Sequence, residues 1–444
     1  MRDNIFRMAW PMMLAQLVGV LYNLVDRMFI GHLSEVGGLA LTGLGVVFPL
    51  ITLWNAFANW AGQGGASVFA IYRGAQEEEK ARSIQGNACF LLIFFSAVMM
   101  AIAYAFEPQL LEWFGASPET YPYASAYMRI YLLGTFFQLF SLGMNPYIGA
   151  QGFGKISMLS VVIGAVVNLI LDPIFIYLLD MGVEGAAWAT VIAQGASALW
   201  VWRFFRGDKA EIRLRLKDLK PSFEAIKEIL ILGFANFLFQ LTNSLTQAVS
   251  NSVLLAYGGD IQVGVMTLVS SLRLIAWLPL TGFINGAKPV ISYNYGAKEH
   301  QRVIDGIWLM VRFCLVITVS TSLAVWIFPR TLLGIFSSEP AYIEAGVLPF
   351  RIYFIFFFFM TFHLIGQGVF TALGLPKEAT FFSLLRKVFL ILPLTIFLPR
   401  IPGMGVMGVY WAEAMSQLIS GIACFSTMWM RVGRRLKLGL DVRD

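Results

Sequence analysis

Apolar runs long enough to cross a bilayer recur along the chain, near 8 to 31, 41 to 72, 86 to 106, 121 to 148, 156 to 179, 184 to 205, 225 to 257, 262 to 293, 303 to 328, 341 to 372, 380 to 399 and 404 to 430. Short polar stretches holding Gly, Pro and charge separate them. A hydrocarbon layer of roughly 30 Å takes about 20 predominantly apolar residues in helical geometry. The pattern therefore predicts an all-α membrane protein of about twelve transmembrane helices. The run from Met8 to Ile30 is too long for the apolar segment of a cleavable signal and carries internal charge, so it is expected to be the first of the spans.

Basic residues then set the topology. With the amino end placed in the cytoplasm, Arg73, Lys80 and Arg82, Lys155, Lys298 and Arg302, Lys377, and the tail residues Arg431, Arg434, Arg435 and Lys437 all fall on the inner side. The mid-chain stretch GDKAEIRLRLKDLKPS and the residue just before it add Arg206, Lys209, Arg213, Arg215, Lys217 and Lys220 there, whereas the outer connections show Arg330 and Arg400. Lysine and arginine favour cytoplasmic loops, and the asymmetry needs an even number of spans. Both termini are thus expected in the cytoplasm of a prokaryotic cell (inner) membrane. Within the mid-chain stretch, alternating Ile212, Leu214 and Leu216 are expected to lie on the membrane surface.

The chain repeats itself. RIY recurs at Arg129 and Arg351, 222 residues apart; the same offset relates Gly74 and Ala75 to Gly296 and Ala297, and GFGK at Gly152 to GLPK at Gly374. GVEGAAW at Gly182 and GVMGVYW at Gly405 differ by 223. Six spans, an even number, put both repeats into the membrane from the same side. The expected organisation is an amino-terminal lobe over 1–206, a basic cytoplasmic linker over 207–222, a second lobe over 223–431 and a cytoplasmic tail over 432–444. The recurrence of Arg129 and Arg351 points to a shared architectural role, capping carbonyls or pairing with an acid near a helix end.

Charges inside the runs carry the candidate chemistry. Asp26 and Arg27 stand in LYNLVDRMFIG, with Asn23 one turn earlier on the same face; snorkelling of Asp26 and Arg27 to the outer surface is the competing structural explanation. In VVNLILDPIFIY, Asn168 and Asp172 are four residues apart and share a face, while Pro173 removes the helical bond to the Leu169 carbonyl. A carboxylate, an amide and a freed carbonyl suit a hard cation such as sodium, and desolvation of a carboxylate favours its protonated form, which suits proton carriage. The second half lacks this pair: Asn168 maps to Leu390, Asp172 to Pro393 and Leu394, and Asp26 to Ser250. Conversely, Thr190 maps to Glu413 and Ala66 to Lys288. Lys288 and Glu413 are expected to pair across the second half, with anion contact the alternative for Lys288. The Phe-rich stretches FFQLF and IYFIFFFFM read mainly as packing and lipid-facing residues.

Other classes find little support. Hydrophobic residues make up 58% of the 444 and charged residues 13%, far from the soluble norm. Cys89, Cys314 and Cys424 sit in apolar segments without CxxC or Cys/His clustering, so neither disulfides nor a cysteine metal site are expected. The +6 net charge gathers in short connections, which argues topology over nucleic-acid binding. His32, His300 and His363 are scattered, and GxSxG and HExxH are absent, so an enzyme is not expected.

Taken jointly and in order, NLVDRMFIG, NLILDPIFIY and ISYNYGAK resemble the multidrug and toxic compound extrusion (MATE) family of secondary exporters over essentially the whole chain. The resemblance implies two six-helix lobes around a central cavity and export of amphipathic, cationic drugs in exchange for sodium ions or protons by alternating access. It implies a first-lobe ion site similar to Asp26, Asn168, Asp172 and Thr190, with sodium or a proton as coupling ion and no other cofactor. Asn23, Gln63, Lys288 and Glu413 are candidate cavity or substrate contacts. The seventh and tenth spans, GFANFLFQLTN and FHLIGQGVF, lack the carboxylates of another family branch, and Lys288 departs from the neutral residue expected there. The expected partners are a small-molecule substrate and the lipid bilayer, with the chain a monomer. The rival readings are a flippase or exporter of a lipid-linked or anionic substrate, for which Lys288, Arg273 and Arg312 would favour an anionic head group, and a passive channel.

Overall fold

A computed structural model describes residues 1–31, 37–336 and 339–442, and among them the regular structure is helical throughout. The chain forms two compact units, Arg7–Gly233 and Met1–Phe6 with Phe234–Asp444.

The first unit holds α1 (Arg2–Gly31), α2 (Gly37–Gly74), α3 (Glu78–Ala105), the short α4 (Glu107–Trp113), α5 (Tyr121–Leu133), α6 (Thr135–Ala150), α7 (Gly154–Pro173) and α8 (Gly182–Arg206). Helix α9 (Phe223–Gly296) begins there and contributes most of its length to the second unit; Gly259, with φ 65° and ψ −167°, breaks it into two helices. The second unit continues with α10 (His300–Ile327), the short α11 (Pro329–Gly334), α12 (Pro340–Phe354), α13 (Phe357–Ala372), α14 (Pro376–Leu384), α15 (Leu392–Phe397), α16 (Met407–Met428) and α17 (Arg434–Lys437). Among the described residues, eight helices are long and apolar enough to cross a membrane, or nine with α12 and α13, bent by 44°, counted as one span. The run α5 to α6 and helices α8 and α16 fall short of that measure and complete six runs in each unit. Helices α5 and α6 are individually short, and α8 and α16 are rich in Ala, Gly and Ser, residues that let transmembrane helices approach closely. A Cβ on Gly62 of α2 would stand 2.7 Å from the Gly143 carbonyl of α6, and one on Gly366 of α13 would stand 2.6 Å from the Cys424 sulfur of α16.

The repeat reaches the backbone. Left-handed residues occur at Gln76 (φ 63°) and Lys298 (59°), at Gly152 (88°) and Gly374 (71°), and at Gly182 (54°) and Gly405 (45°). These pairs keep the 222- and 223-residue offsets read from the sequence. Helices α4 and α11 also correspond, two short elements that the apolar runs alone did not show. Even the bracing is repeated. Tyr104 donates to the Arg129 carbonyl at 2.9 Å, and Arg351, at the position matching Arg129, donates to the carbonyl of Trp326, at the position matching Tyr104, at 3.1 Å. Arg129 also donates to Glu107 at 2.7 Å, and Glu107 is buried. Both arginines thus brace helix ends, as their recurrence suggested.

Two local outcomes differ from expectation. The amino-terminal helix starts six residues before its apolar run, because Ile5 is fully buried and Phe6 packs on Phe283 with ring centroids 5.6 Å apart. The mid-chain stretch does not lay its apolar residues on a lipid surface. Ile212 and Leu214 are buried in the core of the first unit, and Leu216 alone of the three is exposed. Backbone bonding explains this. Gln85 and Gln151 both donate to the Ile212 carbonyl at 3.1 Å, and the Ile212 amide donates back to Gln151 at 3.2 Å. A non-helical strip with its polar backbone satisfied by buried amides can afford to enter the core.

Candidate functional site

Helix α7 sets up the acidic site in the first unit. Asn168 and Asp172, one turn apart, both turn inward and are 2% and 0% exposed. The Asn168 amide donates to Asp172 Oδ1 at 3.0 Å and approaches Thr190 Oγ1 of α8 at 3.5 Å. The Thr190 hydroxyl donates to the Ala186 carbonyl at 2.9 Å, which leaves its lone pairs on the Asn168 side. Pro173 closes the α-helical part, and the chain continues as a π-helical turn over Ile174–Leu178. The missing amide of proline and the widened turn leave carbonyl groups outside the regular ladder.

Asp26 of α1 is buried and meets Asp172 in side-chain and electrostatic contact. The structure thus brings Asp26, Asn168, Asp172 and Thr190 together, and burial of Asp26 sets aside its snorkelling to a surface. The side chains of Asn23 and Arg27, and His32 as a whole, lie outside the described residues. Two tyrosines complete the surroundings. Tyr127 of α5 interacts with Thr190 and Asp26, and Tyr131, one turn on, interacts with Gln194 and Asp26. Their i, i+4 spacing is visible in the sequence, but sequence reasoning passed over both. Beside the cluster lies a cavity of about 160 Å³ bounded by Tyr22, Gln138, Asn145, Asn168, Thr190 and Gln194, among others.

The chemistry follows from proximity. Two carboxylates in contact inside a low-dielectric interior repel each other when both are ionised, and a proton or a cation taken up between them relieves that repulsion. With Asn168 and Thr190 they form a set of oxygen donors, the kind that hard cations take. Among the described residues no group of three His, Cys, Asp or Glu side chains suggests a tighter metal site.

The second unit carries a different arrangement. The expected pairing of Lys288 with Glu413 is corrected: Arg386 donates to Glu413 Oε1 at 2.5 Å. The pair is formed by two neighbouring elements, since Arg386 sits on the π-helical turn Leu385–Ile391 that packs on α16. The next residue, Lys387, donates to Asn243 Oδ1 at 2.8 Å. Arg386 and Lys387 are 1% and 3% exposed, and sequence reasoning passed over both. Lys288 is buried elsewhere on α9, and Gln63 is half-buried on α2.

The MatE family model matches residues 11–174 and 236–397, one stretch in each unit. The chain belongs to the MatE family. MatE relatives include the multidrug export protein MepA of Staphylococcus aureus, 24% identical over 422 residues that cover 95% of this chain and 92% of that protein. The protein of the same name in Staphylococcus saprophyticus matches over the same shares. A MATE structure in a bent conformation superposes with a TM-score of 0.92 at 24% identity, over 99% of this chain and 97% of that one. An outward-facing multidrug resistance MATE transporter of the MOP superfamily gives 0.90 over 98% and 96%. The likeness establishes the fold, and with the family it makes this MatE protein a multi-pass membrane transporter.

Proposed function

We propose that this MatE transporter is a secondary active antiporter that exports amphipathic organic compounds, organic cations among them, in exchange for protons or sodium ions. The observation that carries the reading is the contact of Asp26 with Asp172, both buried, inside a ring of oxygen and hydroxyl groups. A site of this kind changes its charge when it is loaded. Loading therefore alters the relative stability of inward- and outward-open states only if the ion binds the two states differently. In the proposed cycle, an entering proton or sodium ion occupies Asp26 and Asp172, with Asn168 and Thr190 orienting them, and favours the state that has released its drug outward. The relatives' printed names, which describe multidrug export, support the substrate class.

The test is efflux of a fluorescent organic cation from proteoliposomes, with sodium and proton gradients imposed separately. Export that follows one gradient and collapses when that gradient is dissipated supports antiport. Export at equal rate without any gradient overturns it and favours a passive pathway.

A further inference from the structure

The second unit buries more positive charge than it neutralises. Arg273 on α9, Arg386 and Lys387 on the π-helical turn, and Glu413 on α16 converge there: three cations against one carboxylate. Arg273, Lys387 and Glu413 line a recess together with Asn243, Tyr353 and Thr395. Arg386 stands behind it on Glu413. Buried cations inside a membrane protein are ordinarily paired or aimed at a ligand, because hydrocarbon offers them no solvation. Here the pairing is incomplete. Glu413 takes one N–H of Arg386, while Nε and Nη1 of Arg386 and Nε of Arg273 are buried without an acceptor in the structure. Arg273 thus brings an unengaged charged donor to the recess itself, and Arg386 holds two more just behind it, around a described carboxylate that is already engaged.

We infer that this cluster is an oxyanion-binding site, built to take the carboxylate or phosphate-type group of a transported molecule or of a lipid. Guanidinium groups present parallel N–H donors that match the two oxygens of such a group, and the neighbouring ammonium adds a point charge. Asn243 and Tyr353 supply further polar atoms at the rim. In this conformation the recess is small, about 30 Å³, enough for ordered water only. Seating an oxyanion therefore requires the lining helices to part, and the π-helical turn that carries Arg386 and Lys387 is an element able to change register locally. The site shares no residue with the acidic cluster of the first unit. A transporter holding both accepts zwitterionic or anionic amphiphiles in addition to cations.

Binding of dansylglycine and of its uncharged amide to the purified full-length protein in detergent tests the inference without any gradient, so failure here is distinguishable from failure of antiport. The carboxylate is expected to bind at least tenfold more tightly than the amide, and Arg273→Gln and Lys387→Gln are each expected to remove that preference. Repeating the titration in phosphatidylcholine nanodiscs with and without phosphatidylglycerol separates the sources. Displacement of the probe by phosphatidylglycerol in the wild type assigns a lipid head group, and undiminished binding assigns a soluble oxyanion. Equal affinity for the two probes in the wild type, with no displacement by anionic lipid, would overturn the inference even if neither variant folds. So would folded variants that keep the preference.

Discussion

Replacing Asp172 by Asn keeps the side chain's size and still offers Asn168 an oxygen to donate to, but removes one of two carboxylates in contact. Like unit charges about 4 Å apart repel by about 4 kcal/mol at an effective dielectric near 20, a ceiling reached only when nothing neutralises them. After relaxation, Asp172→Asn is expected to be more stable than the wild type by roughly 1 to 3 kcal/mol at alkaline pH in sodium-free buffer. The sign does not reverse on acidification: as the pH falls the wild-type pair takes up a proton, the repulsion vanishes, and the advantage of the variant shrinks toward zero. If sodium is the coupling ion, a concentration near one hundred times its dissociation constant stabilises the wild type by about 2.7 kcal/mol and leaves the variant unchanged. Thermal unfolding of the purified protein, followed by the fluorescence of its 12 tryptophans, reads all three effects. A variant that is less stable than the wild type at alkaline pH, with its response to pH and sodium intact, would refute the argument and make Asp172 a structural residue.

Other consequences are as direct. Thr190→Ala removes an oxygen 3.5 Å from Asn168 but neither carboxylate, so ion-dependent transport is expected to weaken by about tenfold or less, equivalent to about 1.4 kcal/mol, in an ion titration of efflux. Glu413→Gln leaves the buried Arg386 guanidinium without its carboxylate and is expected to cost about 3 to 5 kcal/mol of thermal stability, whereas Arg386→Met combined with Glu413→Leu recovers most of it. Ile212→Ala opens a cavity where the mid-chain stretch enters the first unit and is expected to cost about 2 to 5 kcal/mol, with limited proteolysis of that stretch as a second readout.

Much of the architecture could be read from the chain because lipid imposes a simple rule: backbone groups must be satisfied within each spanning helix, so apolar runs mark helices. The repeat was legible for a related reason. Turns that need a left-handed residue keep Gly or a neighbour in register, as at Gly152 and Gly374. Asn168 and Asp172 were legible because four-residue spacing places them on one face of one helix. What escaped was chemistry assembled across elements. Arg386 meets a residue 27 positions later and Lys387 one 144 positions earlier, and no periodicity links such partners. The π-helical turn that directs both inward leaves no mark in hydropathy. Ile212 misled for the opposite reason: its alternation with Leu214 resembles a surface-lying strip, and only the buried amides of Gln85 and Gln151 account for its entry into the core.

Antiport makes the coupling reciprocal: a drug gradient must be able to move the ion. The most direct measurement loads proteoliposomes with an organic cation, imposes no ion gradient, and follows internal pH with a trapped dye and internal sodium with a radioactive tracer as the cation leaves. The account predicts that exit of the drug draws in one of the two ions in fixed proportion, and that Asp172→Asn abolishes the ion movement. Drug leaving the wild-type vesicles with neither ion entering would contradict it.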